Sequence, residues 1–182
     1  MQQFECTKCG LYETRKSIVR GRGDIDAKIV FIGEAPGKDE DRAGLAFIGK
    51  SGELLEQMIS EAIEFDLNIR PKIFITNTCW CRPCDYASGP NRQPNVDEII
   101  ACKGNVLHLI EEINPKVIIF LGEIAEKYYR NFFKEAFKLH HPAYLLRTGG
   151  KSSPYYIDQV NKLKEIFLVL SDKLISIEGW SN

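Results

Sequence analysis

Six cysteines are the residues of this sequence whose spacing points most directly to chemistry. They are Cys6, Cys9, Cys79, Cys81, Cys84 and Cys102. Cys6-x-x-Cys9 places two thiolates within reach of one metal centre, and two more ligands must come from far along the chain. Cys81-x-x-Cys84 offers both of them, and Cys102 offers a different fourth ligand from a helix. Four thiolates suit zinc or an iron–sulfur cluster, and the alternative is a set of unrelated buried thiols.

Alternating strand and helix patterns must position these residues. Apolar runs predict strands at residues 28–32, 73–76 and 116–121, and a weaker fourth strand is predicted at residues 136–139. Apolar residues at helical spacing follow the strands, and Asn95 with Glu98 resembles a capping box at the start of one helix. Asn114-Pro115 ends that helix. We therefore expect a three-layer α/β/α sandwich with a central, mostly parallel four-stranded sheet.

Three unusual loops follow the predicted strands, at residues 33–49, 77–94 and 140–150. In parallel sheets of this kind the ligand lies beyond the carboxyl ends of the strands. The three loops are therefore expected to surround one cleft. The length of 182 residues fits a single domain, predicted to span residues 1–182.

Three segments resemble the motifs of one enzyme family. They are Gly33-Glu34-Ala35-Pro36-Gly37 continuing to Phe47-Ile48-Gly49, Ile75-Thr76-Asn77 followed by Cys81-Arg82-Pro83 and Asn91-Arg92, and His141-Pro142-Ala143-Tyr144-Leu145-Leu146-Arg147. In this order, and with Cys6-x-x-Cys9 before them, they are similar to the family 4 uracil-DNA glycosylases. These are the iron–sulfur members of the uracil-DNA glycosylase superfamily. The resemblance implies a DNA repair enzyme that hydrolyses the N-glycosidic bond of deoxyuridine and leaves an abasic site.

The resemblance also implies roles in the base pocket. Phe47 would stack on the flipped base, and Asn77 would read uracil through O4 and N3–H, a pattern that cytosine presents in reverse. Glu34 and Ala35 belong to the same substrate-binding loop, with Glu34 shaping it. Many superfamily members have Asp or Asn at the position of Ala35, where that side chain orients water.

Catalysis and DNA contact are implied by residues of all three motifs. His141 would donate a hydrogen bond to uracil O2 and stabilise the departing anion. Glu40, Asp41 and Asn91 are the candidates for orienting water in place of Ala35. Leu145 and Leu146 resemble the wedge that fills the gap left by a flipped base, and Arg147 would contact phosphate. The alternatives are leucines that pack the loop and a solvated charge run at residues 39–41.

The implied cofactor is a structural [4Fe-4S] cluster held by Cys6, Cys9, Cys81 and Cys102, with zinc as the alternative metal. Cys79 and Cys84 are then extra, and Cys84 stands where the family usually has a proline. Ligation by the Cys81-x-x-Cys84 pair stays open as a rival arrangement.

Composition constrains partners and location only broadly. The net charge of −1 does not by itself indicate nucleic-acid binding, although basic residues cluster locally in the segments 8–22 and 140–151. No apolar run is long enough to span a bilayer, and the first five residues lack a signal-peptide pattern. We expect a cytoplasmic monomer that binds uracil-containing DNA, single- or double-stranded, and no membrane.

Two departures from the family keep other functions open. The stretch at residues 85–90 looks longer than is usual for the family, and the segment at residues 122–141 looks shorter. Either change can alter DNA docking or the accepted base. The alternatives are a non-catalytic relative that binds DNA or a partner, and a glycosylase for hypoxanthine or a modified pyrimidine.

Overall fold

The computed structural model describes residues 5–63 and 71–178, and its centre is a five-stranded sheet. The strands are β1 (Arg22–Gly23), β2 (Ile29–Gly33), β3 (Ile73–Asn77), β4 (Val117–Leu121) and β5 (Phe137–Leu139). They lie in the order β1-β3-β2-β4-β5, and only β1 runs antiparallel to its neighbour. The three-layer, mostly parallel architecture is confirmed. The predicted count of four strands is wrong because β1 has two residues and no apolar pattern, so only its pairing with β3 defines it.

The register brings the ends of the central strands together. Gly33 pairs with Asn77 at the carboxyl ends of β2 and β3, and Leu121 pairs with Leu139 at the ends of β4 and β5. The residues that follow these strands therefore emerge at one edge of the sheet.

Helices cover both faces of the sheet. The α-helices are α1 (Lys38–Ala43), α2 (Lys50–Ile63), α3 (Val96–Ile113), α4 (Glu123–Tyr129), α5 (Pro142–Arg147) and α6 (Tyr156–Glu178). Short 3-10 helices lie at Gly10–Glu13 and Gly150–Ser152. Side chains that alternate along a strand point to opposite faces, so Phe31 packs with α2 and α6 while Val30 and Ile32 pack with α3 and α4. Two hydrophobic cores result, one on each face.

Both ends of α3 follow the sequence prediction. Asn95 Oδ1 accepts from the Glu98 backbone N–H at 2.9 Å, and the Glu98 carboxylate accepts from the Asn95 N–H at 2.8 Å. Asn114 adopts the left-handed conformation at φ 49° and donates to the Ile110 carbonyl, which ends the helix. The segments 33–49 and 140–150 were expected to be loops throughout, but they contain α1 and α5. Six residues are too few for a helical pattern to be distinguished from a loop.

Among the described residues, no helix combines the length and the apolar character that crossing a bilayer requires. The prediction that the chain begins without a signal peptide concerns residues 1–5, of which 1–4 lie outside the described residues. The single domain over residues 1–182 likewise stays a prediction.

Candidate active site and cysteine cavity

A pocket of about 330 Å³ opens at the carboxyl ends of the parallel strands. It is lined by Ala35, Pro36, Gly37, Lys38, Asp39, Glu40, Phe47, Gly49, Lys50, Ser51, Asn77, Asn91, His141 and Ala143. Apart from Lys50 and Ser51 at the start of α2, these residues come from the three segments that the sequence placed around one cleft, and that prediction is confirmed. The pocket brings together Phe47, Asn77, His141 and Asn91, which are far apart in the chain.

The side chain of Asn77 carries the strongest mark of a binding role. It is 1% exposed, and neither Oδ1 nor Nδ2 has a hydrogen-bond partner within the described part of the chain. A buried amide left without partners costs about 1–3 kcal/mol, so such a group is retained where a ligand completes it. Asn77 offers that ligand one acceptor and a paired donor.

Phe47 reaches the pocket because two glycines make room for it. A Cβ on Gly33 would lie 2.4 Å from Phe47 Cζ and 2.6 Å from Asn77 Oδ1. A Cβ on Gly52 would lie 1.7 Å from the Phe47 carbonyl oxygen. Phe47 itself has φ 53°, which is unusual for a residue with a side chain, and such strained backbone concentrates at functional sites. The ring is therefore held at the wall of the pocket by its surroundings.

His141 is fixed as a hydrogen-bond donor. It caps α5, where its Nδ1 accepts from the Ala143 backbone N–H at 3.1 Å. The neutral ring must then carry its proton on Nε2. Burial lowers the pKa of His141 to about 4, and the nearby Arg147 lowers it further. Near pH 7 the pocket thus contains a neutral imidazole with one N–H to donate, and the ring centroid lies 5.9 Å from that of Phe47.

The acidic residues of the first loop serve partly to shape it. The Glu40 carboxylate lines the pocket and accepts from the backbone N–H groups of Gly37 (3.0 Å), Ile48 (3.1 Å) and Gly49 (2.8 Å). Asp41 is buried, and its carboxylate accepts from the Lys16 and Ser17 N–H groups. Asp41 therefore anchors the N-terminal segment, whereas Glu40 stays a candidate for a role in the pocket.

Asn91 is oriented by a buried arginine. Arg82 is 2% exposed, and its Nε donates to Asn91 Oδ1 at 2.6 Å. The rest of the guanidinium donates to the carbonyl oxygens of Ala87 (2.9 Å) and Gly89. Since arginine only donates, the amide oxygen of Asn91 must face Arg82, and its Nδ2 points toward Gly37 at the pocket.

Glu34 and Ala35 differ in their placement. Ala35 lines the pocket, but Glu34 is not among the lining residues. Burial raises the pKa of the Glu34 carboxyl, and the charge of Arg147 partly opposes that increase. The Glu34 carbonyl accepts from Thr78 Oγ1 at 2.6 Å and from the Cys79 N–H at 3.2 Å, which ties the first loop to the second.

The predicted DNA contacts divide between the two faces of α5. Leu145 is completely buried in a hydrophobic core that includes residues of α2 and α6, so this structure does not expose it to DNA, and its DNA contact stays a prediction. Leu146 is 37% exposed. Arg147 is exposed as well. Of the three predicted DNA contacts, Leu146 and Arg147 are therefore the ones that are accessible to a ligand.

A second cavity collects five of the six cysteines. It is lined by Cys6, Lys8, Cys9, Arg15, Ile18, Cys79, Trp80, Cys81, Ala101, Cys102 and Asn105. Cys84 is not among them, and its Sγ instead lies 3.9 Å from the Arg82 carbonyl oxygen. Within residues 5–63 and 71–178, no group of three or more His, Cys, Asp or Glu side chains is arranged to hold a single metal ion.

Polar groups surround the thiols of this cavity. Arg15 Nη1 lies 3.6 Å from Cys81 Sγ, and Asn105 Nδ2 lies 3.9 Å from Cys6 Sγ. The Cys79 thiol is hydrogen-bonded to Cys102, which raises the pKa of Cys79 and lowers that of Cys102. Burial raises the pKa of Cys81 to about 11.

Sequence reasoning missed the parts that Arg15, Cys79 and Arg82 play. Each acts through a partner that is brought close by the fold, and sequence spacing carries no signal for such a contact. Arg82 and Cys79 lie inside the dense second motif, and that position is the one feature of the sequence that marks them.

Comparison with known proteins agrees with this arrangement. Residues 20–164 match the family model of the Uracil DNA glycosylase superfamily. The chain is 42% identical over 125 residues to a type-4 uracil-DNA glycosylase of Sulfurisphaera tokodaii, covering 69% of this chain and 53% of the relative. A protein of the same name from Saccharolobus solfataricus is 43% identical over 124 residues, which are 68% of this chain and 54% of the relative.

The chain thus spans about half the length of these two relatives. A type-4 uracil-DNA glycosylase of Thermotoga maritima is matched over more of its length, at 35% identity over 162 residues and 79% of each chain. The superfamily model matches most of the chain, and the Thermotoga maritima relative aligns over about four fifths of both chains. The chain therefore belongs to the uracil-DNA glycosylase superfamily and, within it, to the type-4 uracil-DNA glycosylases.

Proposed function

We propose that this chain is a monofunctional uracil-DNA glycosylase, which hydrolyses the N-glycosidic bond of deoxyuridine in DNA to release uracil and leave an abasic site. The observation that carries the proposal is the buried amide of Asn77, which has no partner among the described residues and lies in one pocket with Phe47 and His141. The relatives are named type-4 uracil-DNA glycosylases, which supports it.

Base recognition follows from the groups on the pocket wall. Nδ2 of Asn77 donates to uracil O4, and Oδ1 accepts from uracil N3–H. Cytosine presents a donor and an acceptor at these positions in the opposite order, so it does not pair with the amide in this orientation. Phe47 supplies an aromatic face for the base. A base in a duplex reaches this pocket only by leaving the stack, at a cost of about a few kcal/mol.

Leaving-group stabilisation is the role of His141. Cleavage of the glycosidic bond develops negative charge on uracil O2 and positive charge on the sugar. The neutral imidazole donates its Nε2–H to O2, and a neutral donor suffices because O2 needs stabilisation rather than a proton. The hydrogen bond from Ala143 to Nδ1 keeps this tautomer in place.

Water must attack the sugar from the open side of the pocket. Ala35 cannot orient it, and Glu40 and Asn91 are the proposed catalytic groups. Asn91 can donate to the water through Nδ2, since Arg82 occupies its oxygen. Glu40 can accept through carboxylate lone pairs not used by its three backbone partners.

The DNA contacts are assigned to the exposed side of α5. Leu146 would enter the gap left by the flipped nucleotide, and Arg147 would pair with a phosphate. The substrate is uracil-containing DNA, single- or double-stranded. A monomeric state and a cytoplasmic location stay predictions.

We assign a structural [4Fe-4S] cluster to the cysteine cavity, with Cys6, Cys9, Cys81 and Cys102 as its ligands. The donor set fits, because thiolates are the usual ligands of such clusters and all four line one cavity. Zinc stays the alternative metal for the same four thiolates. The cluster would tie the N-terminal segment to the second motif and α3, and no step of the reaction requires it.

The test is release of free uracil from an oligonucleotide with one deoxyuridine, comparing the iron-loaded protein with Asn77→Ala and His141→Ala. We expect release by the wild type and a loss of about 100-fold or more in each variant. Absence of release by iron-loaded wild type would overturn the proposal in favour of a non-catalytic DNA-binding relative. Release of hypoxanthine or a modified pyrimidine instead of uracil would reassign the substrate.

A further inference from the structure

Three aromatic rings form a contact cluster on the surface, which we call the aromatic trio: His140, Tyr144 and Tyr155. Their ring centroids are separated by 5.2 Å (His140–Tyr144), 5.2 Å (His140–Tyr155) and 5.8 Å (Tyr144–Tyr155). None of the three is fully buried, and Tyr155 is 41% exposed. Grouped exposed rings of this kind mark interaction surfaces more often than isolated exposed side chains do.

The trio is held in place before any ligand arrives. The His140 backbone N–H donates to Oε1 of the buried Gln159 at 2.7 Å. The Tyr144 and Tyr155 side chains also interact through their polar ends, and this interaction raises the pKa of Tyr144. Because the rings are already ordered, a ligand that stacks on them loses little affinity to the cost of immobilising them.

The position of the trio links it to the pocket. His140 directly precedes His141, and Tyr144 directly follows Ala143, and both of these neighbours line the pocket. The exposed Arg147 lies one turn further along α5 and acts electrostatically on Tyr144. The Asp158 carboxylate interacts electrostatically with His140, but it forms an ion pair with Lys162 at 2.9 Å. The rim of the pocket therefore presents aromatic faces with an available cation.

This combination selects one kind of occupant. Every nucleobase has a π face that stacks on aromatic side chains whatever its identity, and the phosphate of the same nucleotide suits an arginine. A strand whose nucleotide occupies the pocket must also carry its neighbouring nucleotides past the rim.

We propose that the aromatic trio is a stacking platform for an unpaired base of the DNA strand, next to the nucleotide in the pocket. The proposal rests on the proposed function of that pocket. Bases in a duplex already stack on one another, so the platform favours single-stranded DNA over duplex DNA.

Fluorescence anisotropy with a labelled short single strand tests this directly. The strand carries one 2′-fluoro-2′-deoxyuridine, which resists glycosidic cleavage, and the matching duplex is the second probe. Tyr155→Ala is expected to weaken single-strand binding by about 5- to 100-fold, with less than about a twofold effect on the duplex. Tyr155→Phe keeps the ring and is expected to bind within about threefold of the wild type.

Two further variants control the comparison. His140→Ala removes a ring without touching the tyrosine hydroxyls and must also weaken single-strand binding. Phe132→Ala removes an exposed aromatic ring near the start of β4, at the opposite edge of the sheet, and must leave the binding unchanged. Melting temperatures of all variants verify that each is folded.

The outcomes separate the two proposals. Unchanged single-strand affinity in Tyr155→Ala, or equal weakening for single strand and duplex, overturns the platform and leaves the glycosylase proposal intact. If the wild type releases no uracil from unmodified DNA, the proposed function fails, and the same comparison on a uracil-free strand still decides whether the platform binds DNA.

Discussion

At the scale of single residues, the donor half of the Asn77 amide decides which base the pocket accepts. Asn77→Asp keeps the size of the side chain but replaces the donor to uracil O4 with an acceptor. We expect kcat/KM for uracil release to fall by about 100-fold or more, because a buried acceptor would then face O4. Asn131→Asp, the same change at an exposed position, is the control in steady-state assays. Equal kcat/KM values for the two variants would contradict the assignment.

His141 gives the protein a predictable response to pH. The pKa of the folded-state imidazole is lowered to about 4, against an ordinary value of about 6.5 when unfolded. The folded protein therefore binds fewer protons between these pH values, and its free energy of unfolding falls as the pH drops through that window. Uracil release should show no inflection near pH 6.5, since the neutral donor persists down to about pH 4.

Denaturant titrations of wild type and His141→Gln at pH 7 and pH 5 measure this stability effect. The wild type should lose more stability than the variant between the two pH values, because the glutamine has no proton to bind. A loss of the same size in both proteins would show that other groups cause it.

At the scale of elements, the packing of β2 against β3 sets the width of the pocket. Gly33→Ala would place a Cβ against Phe47 and Asn77, at distances that no real Cβ adopts. We expect a large rise in KM as the ring and the amide are displaced. Gly104→Ala is the matched control, because a Cβ at that position in α3 meets nothing within 4 Å. It should leave activity unchanged and stabilise the helix by about 0.5–1 kcal/mol. A normal KM for Gly33→Ala would refute this account of the pocket wall.

In the loop after β3, Arg82 holds the Asn91 amide in its orientation. A double-mutant cycle can measure how far Arg82 affects activity through Asn91. Arg82→Lys loses the forked geometry that holds Asn91 together with the carbonyls of Ala87 and Gly89. We expect lower kcat/KM, because Asn91 would be free to turn its amide. If Arg82 acts through Asn91, adding Arg82→Lys to Asn91→Ala should cause little further loss. Additive losses in kcat/KM would instead show that Arg82 works independently of Asn91.

At the scale of the whole molecule, the central layer was predictable because its signals are local. The four predicted strands are confirmed as β2 to β5, and the capping pair Asn95 and Glu98 begins α3 as expected. The convergence of the three loops followed from a general property of parallel sheets rather than from any single residue.

The features that sequence did not predict depend on contacts between distant segments. β1 exists only through its pairing with β3, and the buried face of α5 is set by packing on α2, which turns Leu145 inward. The orientation of Asn91 is set by Arg82, and no pattern of residue types encodes that contact. Sequence thus predicted which residues gather at the pocket, but not how several of them are turned.

The cysteine cavity allows a test of how the parts of the molecule are joined. Cys102→Ser removes a proposed cluster ligand, whereas Cys84→Ser changes a buried cysteine that does not line the cavity. We expect Cys84→Ser to retain iron and the broad visible absorbance of an iron–sulfur cluster, and Cys102→Ser to lose both. Without the cluster, the segment that carries Cys6 and Cys9 would lose its proposed link to α3 through Cys102. Proteolysis should then cut this segment first, with a lower melting temperature than in Cys84→Ser. Zinc in place of iron in the wild type would contradict the iron–sulfur cluster. Loss of iron in Cys84→Ser alone would contradict the choice of ligands.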